Sequence, residues 1–343
     1  MYTYSCMFTP KYTLTPKLFT NISQIERLYG RLEGLRIPQK LELNLERDNL
    51  IQSTYISNSI EGNPLTFPEV TNILLNDRIP VNRDEKEVKN YFEILKNLEK
   101  FTSQKINLEV VCELHKRLLS GVNDKIAGKI RDKKVVIGRY LEGQILQIKH
   151  NPPYHKRGKI GNEIQELIDW TVKSSEISTI IKAGIFHHHF VFLHPFEDGN
   201  GRVCRLLSAL IYLQNNYAAN KYFVLDDFYD IDRSLYSDKL HSADSGDKTE
   251  WLEYFSDGMK YSLQSALVKY KNAVARLKIT ERLTPKEQEV LSILQKEEET
   301  TSNDLADTLK VSRQQAHNLL RALLEKGFLG KKGSTKASYY YLK

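Results

Sequence analysis

What the chain has little of narrows the field first. Its 343 residues include only three cysteines, Cys6, Cys112 and Cys204. They form no CxxC pair and no even framework, so neither a disulfide scaffold nor a structural zinc is indicated. No apolar run approaches the roughly 20 residues that a membrane span needs, so no membrane partner is expected. Met1-Tyr-Thr-Tyr-Ser-Cys-Met-Phe lacks the basic start and long apolar region of a secretion signal, and the expected location is cytoplasmic. Charge of one sign is not in large excess either: 50 Lys and Arg against 43 Asp and Glu leave +7. That balance permits a nucleotide or nucleic acid as partner and requires neither. The length suggests two or three domains, each able to bury a core.

What is there concentrates in one stretch, His194-Pro195-Phe196-Glu197-Asp198-Gly199-Asn200-Gly201-Arg202-Val203-Cys204-Arg205. Apolar, helical patterns flank it, Ile185 to Leu193 before and Leu206 to Leu213 after, so its polar residues fall in a tight loop between two buried helices. Gly199 and Gly201 tolerate backbone angles that side chains forbid. The following helix turns its free N–H groups and positive dipole end toward the loop, which makes an anion site suited to phosphate. Asp198 can hold a divalent cation, Asn200 can donate to a phosphate oxygen, and Arg202 and Arg205 share a helix face and can fork onto further oxygens. His194, an imidazole titrating near neutrality, can take a proton from an attacking hydroxyl. Any one of these residues is ordinary loop chemistry; together they are not.

The stretch resembles the signature of Fic-domain proteins, HPFx(D/E)GNGRxxR, with every fixed position present. The resemblance implies a mainly α fold, a helical-bundle core with a β-hairpin flap, and transfer of AMP from ATP to a hydroxyl of a target protein (AMPylation). It implies His194 as base and Asp198 on Mg²⁺. Gly199, Asn200 and Gly201 would hold the α- and β-phosphates, Arg202 the β-phosphate and Arg205 the γ-phosphate. Doc-type kinases carry lysine in place of the second glycine; Gly201 favours nucleotidyl transfer.

Upstream, a helix is signalled from about Leu41 and stops near Gly62, ending Ser57-Asn58-Ser59-Ile60-Glu61-Gly62. This resembles the family's inhibitory motif (S/T)xxxE(G/N). The implied device is a carboxylate, Glu61, presented to Arg205 with Ser57 alongside, leaving ATP only a pose unfit for in-line attack.

The rest divides in order. Residues 1–104 read as an arm, a helix through Ile22, Leu28 and Leu32, the inhibitory helix at about 41–62, and two helices opened by capping pairs, Thr66 with Glu69 and Asn82 with Glu85. Residues 105–278 read as the catalytic core. Its His115 reads as packing or surface. Gly128–Gly138 and Gln144–Lys149 alternate like a hairpin, which in the family forms a flap that aligns the target by strand addition. The run His187-His188-His189 cannot converge on one ion, because successive helical residues point about 100° apart; His187, seven before His194, is expected to support it. Residues 222–232 read as irregular. The resemblance places Tyr236 and Asp244 at the adenosine, although the family commonly has Asn at the latter position. A long helix from Thr249 closes the domain.

Residues 283–343 read as helix, short turn, helix and small hairpin, a winged helix-turn-helix with Arg313, Gln314, Gln315 and His317 forward and Lys331, Lys332 and Lys336 on the wing. Expected partners are a target protein, DNA through 283–343, and a second copy of the chain; expected cofactors are ATP and Mg²⁺. Three readings stay open: an adenylyltransferase held in check by its own helix, a de-AMPylase at the same site, and a DNA-binding regulator whose nucleotide site is a sensor.

Overall fold

The computed structural model describes residues 8–141, 144–219, 221–280, 283–295, 297–333 and 338–343. The chain separates into two compact units, Met1–Lys269 and Tyr270–Lys343. Among the described residues no helix is long and apolar enough to cross a membrane.

In the first unit, helix α1 (Pro16–Glu33) starts where Thr15 accepts from the Leu18 N–H and Pro16 supplies a helical φ without an orphan donor. Its Leu18, Ile25, Leu28 and Leu32 recur at helical spacing and are buried. Helix α2 (Gln39–Ile60) follows Pro38 and ends at Glu61, where Gly62, with φ of 88°, turns the chain away. Helix α3 (Phe67–Leu75) opens on the expected capping box of Thr66 and Glu69. Helix α4 (Arg83–Lys96) is capped by Asn82, which accepts from the Glu85 N–H at 2.9 Å. The reciprocal half of that pair does not form. Glu85 instead holds Arg78 and the Val81 N–H, which pins the loop before α4.

Helix α5 (Leu108–Leu119) is followed by the antiparallel strands β1 (Ile137–Leu141) and β2 (Gln144–His150). Pairing begins at Ile137, later than the alternation suggested, because the segment before it is drawn onto another loop: the Arg131 N–H donates to the Pro195 carbonyl. Glu142 and Gly143, the expected turn, lie outside the described residues.

Helices α6 (Arg157–Lys173), α7 (Thr179–Leu193) and α8 (Asn200–Gln214) follow. Most residues of α7 and α8 are buried, so these two form the centre of the unit, with α6 on α7, α5 and α2 on α8, and α4 on α2 and α5. The stretch expected to be irregular contains a short helix, α9 (Asp226–Ile231), which packs on α2 and buries Asp226 and Tyr229. Its acidic sequence concealed it; tertiary contact, not intrinsic preference, holds so short a helix. Helices α10 (Arg233–Ser242) and α11 (Thr249–Thr280) complete the series, and the division between units falls within α11.

The second unit has its own core. Helix α12 (Pro285–Leu294) starts on a Thr284/Glu287 capping box, and α13 (Ser302–Leu309) turns through Lys310, at φ of 50°, into α14 (Arg313–Glu325). Strands β3 (Leu329–Lys332) and β4 (Tyr339–Leu342) form the wing. Val290, Leu305, Ala316, Leu320, Leu323 and Leu329 bury against one another beneath it.

Candidate active site

The loop between α7 and α8 begins with strain. His194 caps α7 in the left-handed region, at φ of 48°, a conformation that costs a non-glycine residue about 1–3 kcal/mol and persists only when its surroundings over-determine it. Here they do. Arg131 is buried and donates from Nε to the His194 carbonyl at 2.6 Å, from Nη2 to the Leu193 carbonyl at 3.1 Å and from its backbone N–H to the Pro195 carbonyl at 2.9 Å. Asn200 Oδ1 accepts from the Phe196 N–H and its Nδ2 donates to the Phe196 carbonyl, both at 2.9 Å. His115 stacks on Phe196, centroids 3.7 Å apart and planes within 9°. Its Nδ1 accepts from the Gly128 N–H at 2.9 Å, so Nε2 carries the proton and donates to the Asp198 carbonyl at 3.1 Å. Burial pushes His115 down to about 4, keeping it in that neutral form.

Gly199, at φ of 76°, then starts α8; a β-carbon there would stand 3.1 Å from the Leu118 side chain. The N–H groups of the first α8 turn therefore face the bend without helical acceptors. Burial, with Arg131 and His150 nearby, also pushes His194 down to about 4, so its imidazole is neutral at pH 7. Its Nδ1 is buried and, among the described residues, without a hydrogen-bond partner. Because the Asn200 side chain is engaged with Phe196, what it offers a phosphate is its backbone N–H.

Asp198 is the most open polar group of the loop, its carboxylate 40% exposed, with Oδ2 3.5 Å from Arg83 and Oδ1 3.5 Å from Arg202. Arg202 is buried against Glu87, Nη1 to Oε2 at 2.7 Å, and Glu87 also accepts from Arg83 Nε at 2.9 Å. The Arg205 guanidinium meets the end of α2: Nε donates to Ser57 Oγ at 2.7 Å, and Nη2 donates to the Ser57 carbonyl at 2.8 Å and to Oε1 of the capping Glu61 at 2.7 Å. Burial opposes the charge of Arg205, but Glu61 and Asp226 outweigh it and raise its pKa. Glu61 reaches across the face of Gly201, where a β-carbon would lie only 2.1 Å from Oε1. Only glycine leaves that passage open.

The structure thus brings together His194, Asp198, Gly199, Asn200, Gly201, Arg202, Arg205, Ser57 and Glu61. Tyr236 and Asp244 make their hydrogen bonds outside the loop. Tyr236 packs on Tyr229, its hydroxyl 2.9 Å from His187 Nε2, and Asp244 bonds to His150, His188 and His241. Among the described residues no hydrogen bond joins either to the loop. His187 bonds to Ser208 and Tyr236, not to His194. Seven residues put the two near one face, but His194 has left the helix and taken a left-handed turn. Sequence reasoning missed Arg131 and Glu87 and set His115 aside. None carries a local signal for this role, since the group each holds in the loop or at the start of α8 lies over 60 residues away.

In the second unit, Arg313, Gln314 and His317 of α14 line one surface depression with Lys331 of β3 and Asn303 of α13. Gln315 does not join them: it turns back to accept from the Ser312 N–H at 3.1 Å, closing a capping box. Lys332 lies 3.7 Å from Glu299; Lys336 is outside the described residues.

Fold and site together define a Fic-type helical domain with a signature loop between its two central helices. Residues 105–212 match the Fic/DOC family and residues 283–329 the winged helix-turn-helix DNA-binding family. The chain therefore carries a Fic domain followed by a winged helix-turn-helix domain. It is 27% identical over 255 residues to the protein adenylyltransferase fic-1 of Caenorhabditis elegans, covering 71% of this chain and 47% of that protein. It is 28% identical over 217 residues to the protein adenylyltransferase Fic of Nematostella vectensis, 61% and 46% of the two lengths. The chain spans about half the length of these curated relatives. A crystal structure of a Fic family protein from Desulfovibrio desulfuricans G20 superposes with a TM-score of 0.69 at 25% identity over 98% of both chains. C. elegans Fic-1 shares the fold at a TM-score of 0.60 and 23% identity, over 75% of this chain and 73% of that one.

Proposed function

We propose that this chain is a protein adenylyltransferase that moves AMP from ATP to a Tyr, Ser or Thr hydroxyl of a target protein, restrained by α2. The observation that carries the reading is the threefold hold of Ser57 and Glu61 on Arg205. A buried guanidinium next to an anion-binding bend has a carboxylate where a phosphate would sit, and that carboxylate comes from a separate, N-terminal helix.

In this reading His194, neutral at pH 7, takes the proton from the target hydroxyl as its oxygen attacks the α-phosphorus and the bond to pyrophosphate breaks. The backbone N–H groups of Asn200, Gly201 and Arg202 face the phosphates at the start of α8 and stabilise charge without reorganising. Arg205, once Glu61 leaves it, holds the terminal phosphate and so sets the line of attack. Asp198 fits a divalent cation, being a half-open carboxylate at the mouth of an anion site. Mg²⁺ held there would neutralise charge developing on the departing pyrophosphate. Tyr236 and Asp244 fit the adenosine less directly, since both side chains are already bonded, to His187 and to three histidines.

The test is incubation with α-labelled ATP, Mg²⁺ and cell lysate. The Glu61→Gly form should label proteins, itself included, at least tenfold above wild type, and His194→Ala in that background should label nothing. Absence of label from wild type and Glu61→Gly alike sinks the reading. Faster release of AMP from a pre-labelled protein by wild type than by Glu61→Gly would mark the site as one that removes AMP.

The depression on the second unit favours DNA as an additional partner, because Arg313, Gln314 and His317 stand at the start of the second helix beside the wing lysine. Binding to a duplex that weakens steeply with salt tests it.

A further inference from the structure

Around Asp244 the hydrogen-bonding partners leave a gap in the arithmetic of protons. His150, at the end of β2, lies with Nε2 2.8 Å from the Phe192 carbonyl. A carbonyl only accepts, so that nitrogen carries a proton and Nδ1 of the neutral ring is a bare lone pair. This lone pair lies 2.8 Å from Asp244 Oδ2, another acceptor. His241 Nδ1, from α10, lies 3.0 Å from the same oxygen. Some cation must stand between His150 and Asp244, either a second proton on the ring or a metal ion.

The surroundings are those of a metal site. The three donors, His150, His241 and Asp244, lie within 4.8 Å of one another. The other oxygen of Asp244 is oriented from behind: Lys248 Nζ lies 2.7 Å from His188 Nδ1 and donates to it, which leaves His188 Nε2–H to donate to Asp244 Oδ1 at 3.0 Å. Ligating histidines and carboxylates are characteristically held by such outer bonds, imidazole N–H to a backbone carbonyl and N–H to the spare carboxylate oxygen. His150 is buried while Asp244 and His241 are 24% and 19% exposed, so one side stays open for entry and for a water ligand. Metal bonds of about 2.0–2.1 Å put tetrahedral ligands about 3.3 Å apart. Asp244 Oδ2, at 2.8 and 3.0 Å from the two imidazole nitrogens, needs to part from each by only a few tenths of an ångström, which rotation of the half-open Asp244 and His241 side chains supplies.

We propose that His150 Nδ1, His241 Nδ1 and Asp244 Oδ2 form a site for a divalent transition metal of the Zn²⁺ type, separate from Asp198. Two imidazoles and one carboxylate select such an ion over Mg²⁺, which prefers an oxygen shell. Its ligands come from the foot of the β1–β2 hairpin, the last turn of α10 and the turn that follows it, so the ion braces the hairpin against the helical body.

The experiment uses the full chain, stripped with chelator and titrated with Zn²⁺ calorimetrically at pH 7.5 in excess Mg²⁺. One equivalent should bind to wild type and to Asp198→Asn, and at least tenfold more weakly to His241→Ala and Asp244→Asn, with circular dichroism confirming that the variants are folded. Co²⁺ in wild type should show the intense visible bands of a tetrahedral nitrogen- and oxygen-ligated ion, a readout independent of any variant. No binding to wild type, equal binding to all four proteins, or a cobalt spectrum like that of the hydrated ion overturns the proposal and leaves His150 with the second proton. None of these results depends on AMP transfer, so the outcome is distinct from that of the labelling test.

Discussion

The left-handed His194 is the point at which single residues decide the chemistry. Its backbone geometry is secured by Arg131, whose guanidinium donates to the carbonyls of Leu193, His194 and Lys133 at once. Lysine keeps the charge but cannot span three carbonyls from one nitrogen. In the Glu61→Gly background, Arg131→Lys should therefore lower the turnover of AMP transfer on the order of a hundredfold, with KM for ATP changed only a few-fold. An unaltered turnover number would show that the imidazole is positioned without Arg131. This residue also marks the limit of reading the loop from sequence. The glycines, Asn200 and the arginines stand within a dozen positions and announce an anion site by spacing. Arg131 sits in a stretch whose alternation says strand, and only the folded chain turns it onto the loop.

At the level of elements, α2 is the part whose sequence and packing carry different messages. Its end, Ser57 to Glu61, is legible only through its resemblance to the family's inhibitory motif, which implies a carboxylate aimed at an arginine. Its middle bears on α9, which sequence did not reveal: Gln52 Nε2 donates to Asp227 Oδ1 at 3.0 Å, and Asp226 is buried near Ser53 and Arg205. Burial raises Asp226 to about 6, and burial together with the charge of Asp226 raises Asp227 to about 7. A carboxyl raised in the folded state binds more protons there than when unfolded. Its contribution is full below its ordinary pKa of 3.8 and is lost as pH rises through the folded value. Asp227→Asn removes that loss. It should be more stable than wild type at pH 8 by on the order of 2 kcal/mol, the gap widening from about pH 4 to pH 7 and level above. Thermal melts across that range check it, and a pH-independent gap would mean that Asp227 ionises normally in the fold.

For the whole molecule, the two units have separate cores, and each carries a recognisable site. A fragment of residues 1–282 bearing Glu61→Gly is expected to keep the proposed AMP transfer within a few-fold of the full chain, and the proposed duplex binding is expected to go with residues 283–343. Loss of transfer on truncation, in a fragment whose circular dichroism is unchanged, would place part of the active site's support in the winged unit.

The sequence by itself determined the helix boundaries that caps and prolines mark, the signature bend and its chemistry, the motif at the end of α2 and the separate winged unit. The boundaries and the bend rest on preferences expressed within a few residues, namely helical spacing, capping, and the angles open to glycine, and the role of the α2 motif rests on its resemblance to the family's. Only the tertiary structure decided which distant groups meet: Ser57 with Arg205 across 148 positions, Arg131 with the turn at His194, and the three histidines around Asp244. Such meetings follow from the packing of α2, α7, α8 and α10 as bodies, and no short stretch of the chain encodes the distance between two surfaces that it does not contain.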